Sequence, residues 1–186
     1  MKIDLENSTA FYRPYFLKKE KSMSTKNQIC VCLDAEHDMR YYNLIKDWEA
    51  NDAFSCQFVR TYDLNNQAGY QSDELIKQKV RQRMINSSAL LVIIGEDTRN
   101  LFKYIRFELE YAIMHNIPII GVNTNGHRKI DQNCPPILKN QLAVYVPFSL
   151  RSIGKALTNW PKTHREYIRK NMKGPYHYAD FVYEYH

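Results

Sequence analysis

Residues 89–95 read ALLVIIG, six apolar residues in succession that end at a glycine. Such a run predicts a β-strand that is buried on both faces. Residues 117–122, IPIIGV, repeat the pattern after a stretch of helical periodicity. Strands of this kind, separated by helices, are typical of a parallel sheet that helices cover on both sides. These two stretches decide the fold class, which we predict to be α/β.

The remaining segments extend the alternation of strands and helices. Further strands are predicted at residues 29–33, 54–59 and 142–148, which gives a sheet of five parallel strands. A last helix is predicted over residues 150–160. The other helices are predicted from apolar residues that share one helical face: Tyr41, Leu44, Ile45 and Trp48; Ile76, Val80 and Met84; and Ile105, Leu109, Ala112 and Ile113. In such a sheet, ligands bind beyond the carboxyl ends of the strands.

Length and composition indicate one domain with an extension at each end. The chain has 186 residues, of which 44 % are hydrophobic, so a substantial core can form. We divide it into an N-terminal extension (1–27), a domain (28–160) and a tyrosine-rich C-terminal extension (161–186). The aromatic residues of both extensions are candidates for packing on the domain or for self-association.

The net charge and the cysteines indicate which partners and which kinds of site to expect. The net charge is +6, but Lys and Arg are scattered, and the chain carries no nucleic-acid-binding motif, which disfavours nucleic acid as a partner. The four cysteines form no disulfide or zinc pattern, and we predict that they are buried as small hydrophobic residues. Because we find no signal peptide and no membrane span, we expect a soluble cytoplasmic protein with no membrane partner. Because no set of metal-ligating residues is completed, we expect no bound metal.

The first polar stretch of interest is DAEHD at residues 34–38, directly after the first predicted strand. Three carboxylates and a histidine stand here at the predicted ligand-binding edge of the sheet. The alternative is an ordinary loop in which Asp34 or Asp38 caps the next helix. The residues alone leave both interpretations open.

The second feature is Glu108, in the helix that follows residues 89–95. It falls at the edge of the apolar stripe that contains Ile105 and Leu109, whereas Glu110 points away from that stripe. Partial burial at this position would raise the pKa of the Glu108 carboxyl. The alternative is an acid that interacts with the helix dipole. The chain contains no glycine-rich nucleotide motif, zinc-protease motif or nucleophile elbow, so these other chemistries are disfavoured.

Taken in order, the segments resemble the TIR-like domain family of bacterial Thoeris-type anti-phage defence proteins. The resemblance spans about residues 28–160 and rests on four pieces: LDAEHD at 33–38, IGEDT at 94–98, YIRFEL at 104–109 and PIIGV at 118–122. The chain departs from the family at Ala35, where an aromatic residue is common. It also departs after the second strand, where YDLN at 62–65 stands in place of an Asp-x-Ser-like element.

The resemblance implies a flavodoxin-like TIR fold and an enzyme that cleaves NAD. The product would be an ADP-ribose-derived signal in antiviral defence, with a cyclic ADP-ribose variant as the expected form. NAD is then the substrate, and no cofactor is expected. The implied partners are a second copy of the chain in a homo-oligomer, a phage trigger and a downstream effector that senses the product. Glu108 would be catalytic, and the substrate-binding residues would be Asp34, Glu36, His37, Asp63, Thr98 and Tyr104.

Two other functions fit the same sequence features. A TIR-like domain can act without catalysis, as an interaction or assembly module. A nucleoside deoxyribosyltransferase-like N-glycosidase would share the frame and the glutamate chemistry but would act on nucleosides.

Overall fold

The computed structural model describes residues 27–61, 72–100, 104–180 and 183. The N-terminal extension up to residue 26 and the predicted site residue Asp63 lie outside them. Strands and helices alternate along the described chain, as predicted. Their bounds are β1 (Asn27–Cys32), α1 (Met39–Ala50), β2 (Cys56–Arg60), α2 (Asp73–Ile85), β3 (Ala89–Ile94), α3 (Tyr104–Met114), β4 (Ile119–Asn123), β5 (Ala143–Pro147), α4 (Leu150–Arg169) and β6 (Pro175–His177).

The strands form one parallel sheet in the order β2-β1-β3-β4-β5-β6. From β1, the chain first adds β2 on one side and then returns to add β3 on the other. The carboxyl ends of β1 and β3 therefore flank the point where the strand order reverses. In open parallel sheets this point forms the crevice that binds ligands.

The prediction of five strands is wrong by one, because β6 adds to the edge of the sheet beyond β5. It pairs Tyr176 with Val144 and His177 with Tyr145. The strand has only three residues and lies in a stretch that lacks the apolar alternation of a longer strand. Its pairing with β5, rather than its own sequence pattern, defines it as a strand.

The two faces of the sheet pack against different pairs of helices. Side chains alternate along β1, so that Val31 joins one core cluster and Cys30 joins the other. The Val31 cluster includes residues of α1 and α4, and the Cys30 cluster includes residues of α2 and α3. Every residue of β3 and β4 is buried, which confirms that these strands are covered on both faces. All four cysteines are buried and free, as predicted.

Two helices differ from the sequence prediction. In α1, Leu44 is 41 % exposed, because Ile45 takes the position that faces the sheet and turns Leu44 towards solvent. The last helix does not stop at residue 160 but continues through Pro161 to Arg169. Its buried stripe also continues, from Trp160 to His164, so packing offsets the backbone hydrogen bond that proline cannot make. No helix among the described residues is long and apolar enough to cross a membrane.

Side chains of two helices cover the outer edge of β2. The Phe58 N–H donates to Glu49 Oε2 over 3.0 Å, and Lys46 Nζ donates to the Phe58 carbonyl over 3.1 Å. Lys46 and Glu49, both on α1, also form an ion pair of 2.6 Å. From α2, Arg83 Nη1 donates to the Arg60 carbonyl over 3.0 Å. These bonds occupy backbone groups that an edge strand would otherwise leave unpaired.

Candidate active site

The loop after β1 brings Asp34 and His37 together. The His37 Nδ1–H donates to Asp34 Oδ2 over 2.7 Å, and the Glu36 N–H donates to Asp34 Oδ1 over 2.9 Å. Asp34 is buried, whereas 57 % of the His37 side chain is exposed. The hydrogen bond to Asp34 raises the pKa of His37. Asp97, from the loop after β3, places a carboxylate oxygen 4.0 Å from the same His37 nitrogen.

Asp38 links this loop to the end of β3. It occupies the position before α1, but its side chain does not cap the helix, so the capping alternative is wrong for this residue. The Thr98 hydroxyl instead lies 3.4 Å from Asp38 Oδ2 and accepts the Gly95 N–H over 2.8 Å. Burial, together with the nearby charge of Asp34, raises the pKa of Asp38. A Cβ at Gly95 would overlap the Asp38 carboxylate, so only glycine permits this approach.

Glu108 lies on the inner face of α3 and is only 3 % exposed. Its carboxyl hydrogen-bonds Cys32, the last residue of β1, and Thr61, the residue after β2. Burial raises the pKa of Glu108 to about 7, and the two hydrogen bonds limit the rise. The Glu108 carboxyl therefore lies at the carboxyl ends of two adjacent strands, and its partner Cys32 precedes Asp34 by two residues.

Thr61 connects the Glu108 carboxyl to the sheet. Its backbone N–H and its hydroxyl both lie 3.1 Å from the Val31 carbonyl. A hydroxyl has one hydrogen, so it donates either to Val31 or to an ionised Glu108. When it donates to Val31, it can still accept a hydrogen bond from a protonated Glu108. The direction of this bond is thus coupled to the charge of the glutamate.

The other predicted residues of the site lie in different environments. Thr98 is fully buried and uses its hydroxyl inside the protein, whereas the Glu36 side chain is exposed. Tyr104 is half-buried at the first described residue of α3, and its hydroxyl donates to Asp73 Oδ1 of α2 over 3.1 Å. Asp63 lies outside the described residues. The roles of these four residues in substrate binding stay predictions.

Cys32 and Thr61 are the partners of Glu108 that the sequence analysis did not single out. Cys32 was correctly predicted to be buried, but nothing in its pattern pointed to a carboxyl beside it. The contact arises because α3 packs on the sheet face that holds Cys30 and Cys32, which brings the Glu108 carboxyl beside the Cys32 thiol. The carboxyl in turn raises the pKa of the Cys32 thiol, which burial has already raised. The one clue in the sequence was that Cys32 and Thr61 both lie where a predicted strand ends, at the edge of the sheet where ligands are expected.

Comparison with known proteins identifies the family. Residues 19–129, more than half of the chain, match the sequence profile of the family described as Thoeris protein ThsB, TIR-like domain. A comparison with curated proteins gives no match. The matched range includes β1 to β4, the loop at residues 34–38 and Glu108, which are the parts of the chain that form the candidate site. The chain belongs to the TIR-like domain family of Thoeris protein ThsB.

Proposed function

We propose that this chain cleaves NAD between nicotinamide and ribose, with Glu108 as the catalytic residue. The product would be an ADP-ribose-derived signal in anti-phage defence, and a cyclic form is our first expectation. The observation that carries the proposal is the buried Glu108 carboxyl at the carboxyl ends of β1 and β2. Family membership supports the role in defence.

The proposed reaction needs little machinery beyond one carboxylate. Breaking the nicotinamide–ribose bond develops positive charge on the sugar, as in other glycosidic cleavages. Nicotinamide leaves as a neutral molecule, so no strong general acid is required. The ionised form of Glu108 can stabilise the developing charge and hydrogen-bond the ribose hydroxyls. In this proposal Asp34 and His37, which hydrogen-bond each other after β1, help to orient the substrate.

The burial of Glu108 bears on how such an enzyme would be controlled. Because only 3 % of the residue is exposed, a ribose can reach the carboxyl only if the groups that cover it move. We therefore expect the isolated chain to turn over NAD slowly until a phage trigger or assembly into a homo-oligomer opens the site. A downstream effector that senses the product completes the proposed pathway.

The test is nicotinamide release from NAD by the purified chain, alone and with lysate from phage-infected cells. We expect Glu108→Gln to lower the rate by at least about a hundredfold, the usual loss for one preorganised electrostatic contact. Glu110→Gln is the matched control, because Glu110 lies two residues away on the exposed face of α3 and pairs with Arg106. Its rate should equal that of the wild type.

Two outcomes would contradict the proposal: no turnover by the wild type under either condition, or equal turnover by Glu108→Gln. Normal phage defence by a strain that carries Glu108→Gln would instead favour the non-enzymatic assembly module. Mass analysis of the products separates linear from cyclic ADP-ribose. Base exchange on nucleosides, with NAD untouched, would favour the deoxyribosyltransferase-like alternative.

A further inference from the structure

The backbone of Thr61 is held on both sides, which fixes where its hydroxyl lies. Its N–H donates to the Val31 carbonyl of β1 over 3.1 Å, and its carbonyl accepts a hydrogen bond from Arg83 Nη1 of α2 over 3.2 Å. The residue is also buried. The hydroxyl oxygen therefore stays at the ends of β1 and β2, and the group can answer a change in its surroundings by turning its one hydrogen.

The same arrangement occurs a second time in the sheet. Thr124 is the first residue after β4, as Thr61 is the first residue after β2. Its N–H and its hydroxyl both lie 3.1 Å from the Ile94 carbonyl, just as those of Thr61 lie 3.1 Å from the Val31 carbonyl. The double bond to one carbonyl is therefore a local way of joining two strand ends. Within the described chain, Thr61 differs from Thr124 in its second partner, the Glu108 carboxyl.

The groups around the Glu108 carboxyl leave the Thr61 hydroxyl a specific role. Cys32 is the other hydrogen-bond partner, and the Cys30 thiol also interacts with the carboxyl. Burial raises the pKa of both thiols, so they stay protonated near neutral pH. Arg83 keeps its charge throughout and donates to the Thr61 carbonyl. Since a thiol is a weak donor, the hydroxyl is the stronger of the two donors that meet the ionised carboxylate.

We propose that Thr61 is the positioning residue of Glu108: its hydroxyl donates to the Val31 carbonyl while the glutamate holds its proton, and turns to donate to the carboxylate once that proton has left. The hydroxyl then favours the ionised form and holds it in one orientation at the ends of β1 and β2. A part in catalysis rests on the proposed cleavage of NAD, whereas the turn of the hydroxyl does not.

The first test follows the wild-type chain by NMR, with carbon-13 in the glutamate carboxyls and the threonine methyl groups. The signals of Glu108 and Thr61 are assigned by their absence from Glu108→Gln and Thr61→Ser. We expect the Thr61 methyl signal to titrate with the same midpoint as the Glu108 carboxyl, at about pH 7, and to lose this titration in Glu108→Gln. The Thr124 methyl signal is the matched control and should not follow that midpoint. A Thr61 signal that does not follow it either would overturn the proposal.

The second test removes the hydroxyl. Thr61→Val replaces it with a methyl group of similar size and should raise the pKa of Glu108 by about one pH unit, because the ionised carboxylate loses its stronger donor. Thr61→Ser keeps the hydroxyl and should keep the wild-type pKa. Thr124→Val removes the matching hydroxyl after β4 and should leave the pKa of Glu108 unchanged. The proposal is wrong if Thr61→Val leaves this pKa unchanged, or if Thr61→Ser or Thr124→Val raises it as much.

NAD cleavage then separates this proposal from the proposed function. At pH 6, Thr61→Val should cleave NAD about tenfold more slowly than the wild type, with an unchanged KM, because a smaller fraction of Glu108 is ionised. Thr61→Ser should restore the rate. Equal rate–pH profiles for Thr61→Val and the wild type would refute the positioning role. If the wild type cleaves no NAD, the proposed function fails, and the two NMR tests still decide whether the hydroxyl of Thr61 turns with the charge of Glu108.

Discussion

The replacement Glu108→Gln should stabilise the protein, and by an amount that grows with pH. The folded state raises the pKa of this carboxyl from 4.5 to about 7, which corresponds to about 3.4 kcal/mol once the group is fully ionised. Above pH 4.5 the unfolded chain ionises freely, whereas the folded chain holds the proton until about pH 7. Stability is therefore lost as the pH rises through this window, and the loss levels off above pH 7.

Glutamine is neutral in both states and close to glutamate in shape, so it removes this penalty while it keeps the contacts with Cys32 and Thr61. From pH 5 to pH 8, the free energy of unfolding of the variant should increase by about 2.5 kcal/mol relative to that of the wild type. In a chain of this size the gain corresponds to about 5–10 °C in Tm. Urea unfolding, followed by circular dichroism at each pH, measures the difference directly.

Every other titratable group is the same in the variant and in the wild type, so its contribution cancels in the stability difference. Glu110→Gln provides the control, because that carboxylate is exposed and the difference it produces should change little with pH. A stability gain for Glu108→Gln that is the same at pH 5 and pH 8 would refute the reasoning. It would mean that the carboxyl is not held in a desolvated environment, whatever its part in catalysis.

Three further predictions follow from the same contacts. If the ionised form of Glu108 is the active one, NAD cleavage by the wild type should rise about tenfold from pH 6 to pH 8, in a profile of rate against pH. Gly95→Ala should cost about 1–3 kcal/mol in urea unfolding, because the new methyl group meets the Asp38 carboxylate. The cost should fall when Asp38→Ala is also present, and additive losses would contradict the overlap. When the pH is lowered from 7 to 5, the free energy of unfolding of His164→Leu should increase by about 2 kcal/mol relative to that of the wild type. The folded state holds the pKa of His164 near 4, so the unfolded wild-type chain takes up a proton first and the wild type loses stability. Equal pH dependence of the two proteins would contradict this.

The central strands of the sheet could be predicted because their own sequences identify them, without knowledge of what they pack against. Residues 89–94 and 119–122 are apolar throughout, and burial on both faces is the simplest arrangement that satisfies them. The prediction that Leu44 faces the core was wrong, because apolar residues at helical spacing define the buried face of a helix only to within about one residue. The strand β6 was missed because it exists through its pairing with β5.

The candidate site was predictable in position but not in detail. The alternation of strands and helices places residues 34–38 and 95–98 at one edge of a parallel sheet, and the helical stripe places Glu108 inside. The partners of Glu108 depend on how α3 packs on the sheet, which no local pattern encodes. The same holds for the pair formed by Asp38 and Thr98, which are sixty residues apart in sequence.

The covering of β2 determines how copies of this domain can meet. A foreign strand that approaches there finds the amide and carbonyl of Phe58 already engaged by Glu49 and Lys46, and the carbonyl of Arg60 engaged by Arg83. To lengthen the sheet on that side, it would have to displace α1 and α2 side chains that also hold the domain together. We therefore expect β2 to resist pairing with a strand of another copy, so that an ordered assembly of these domains would use other surfaces.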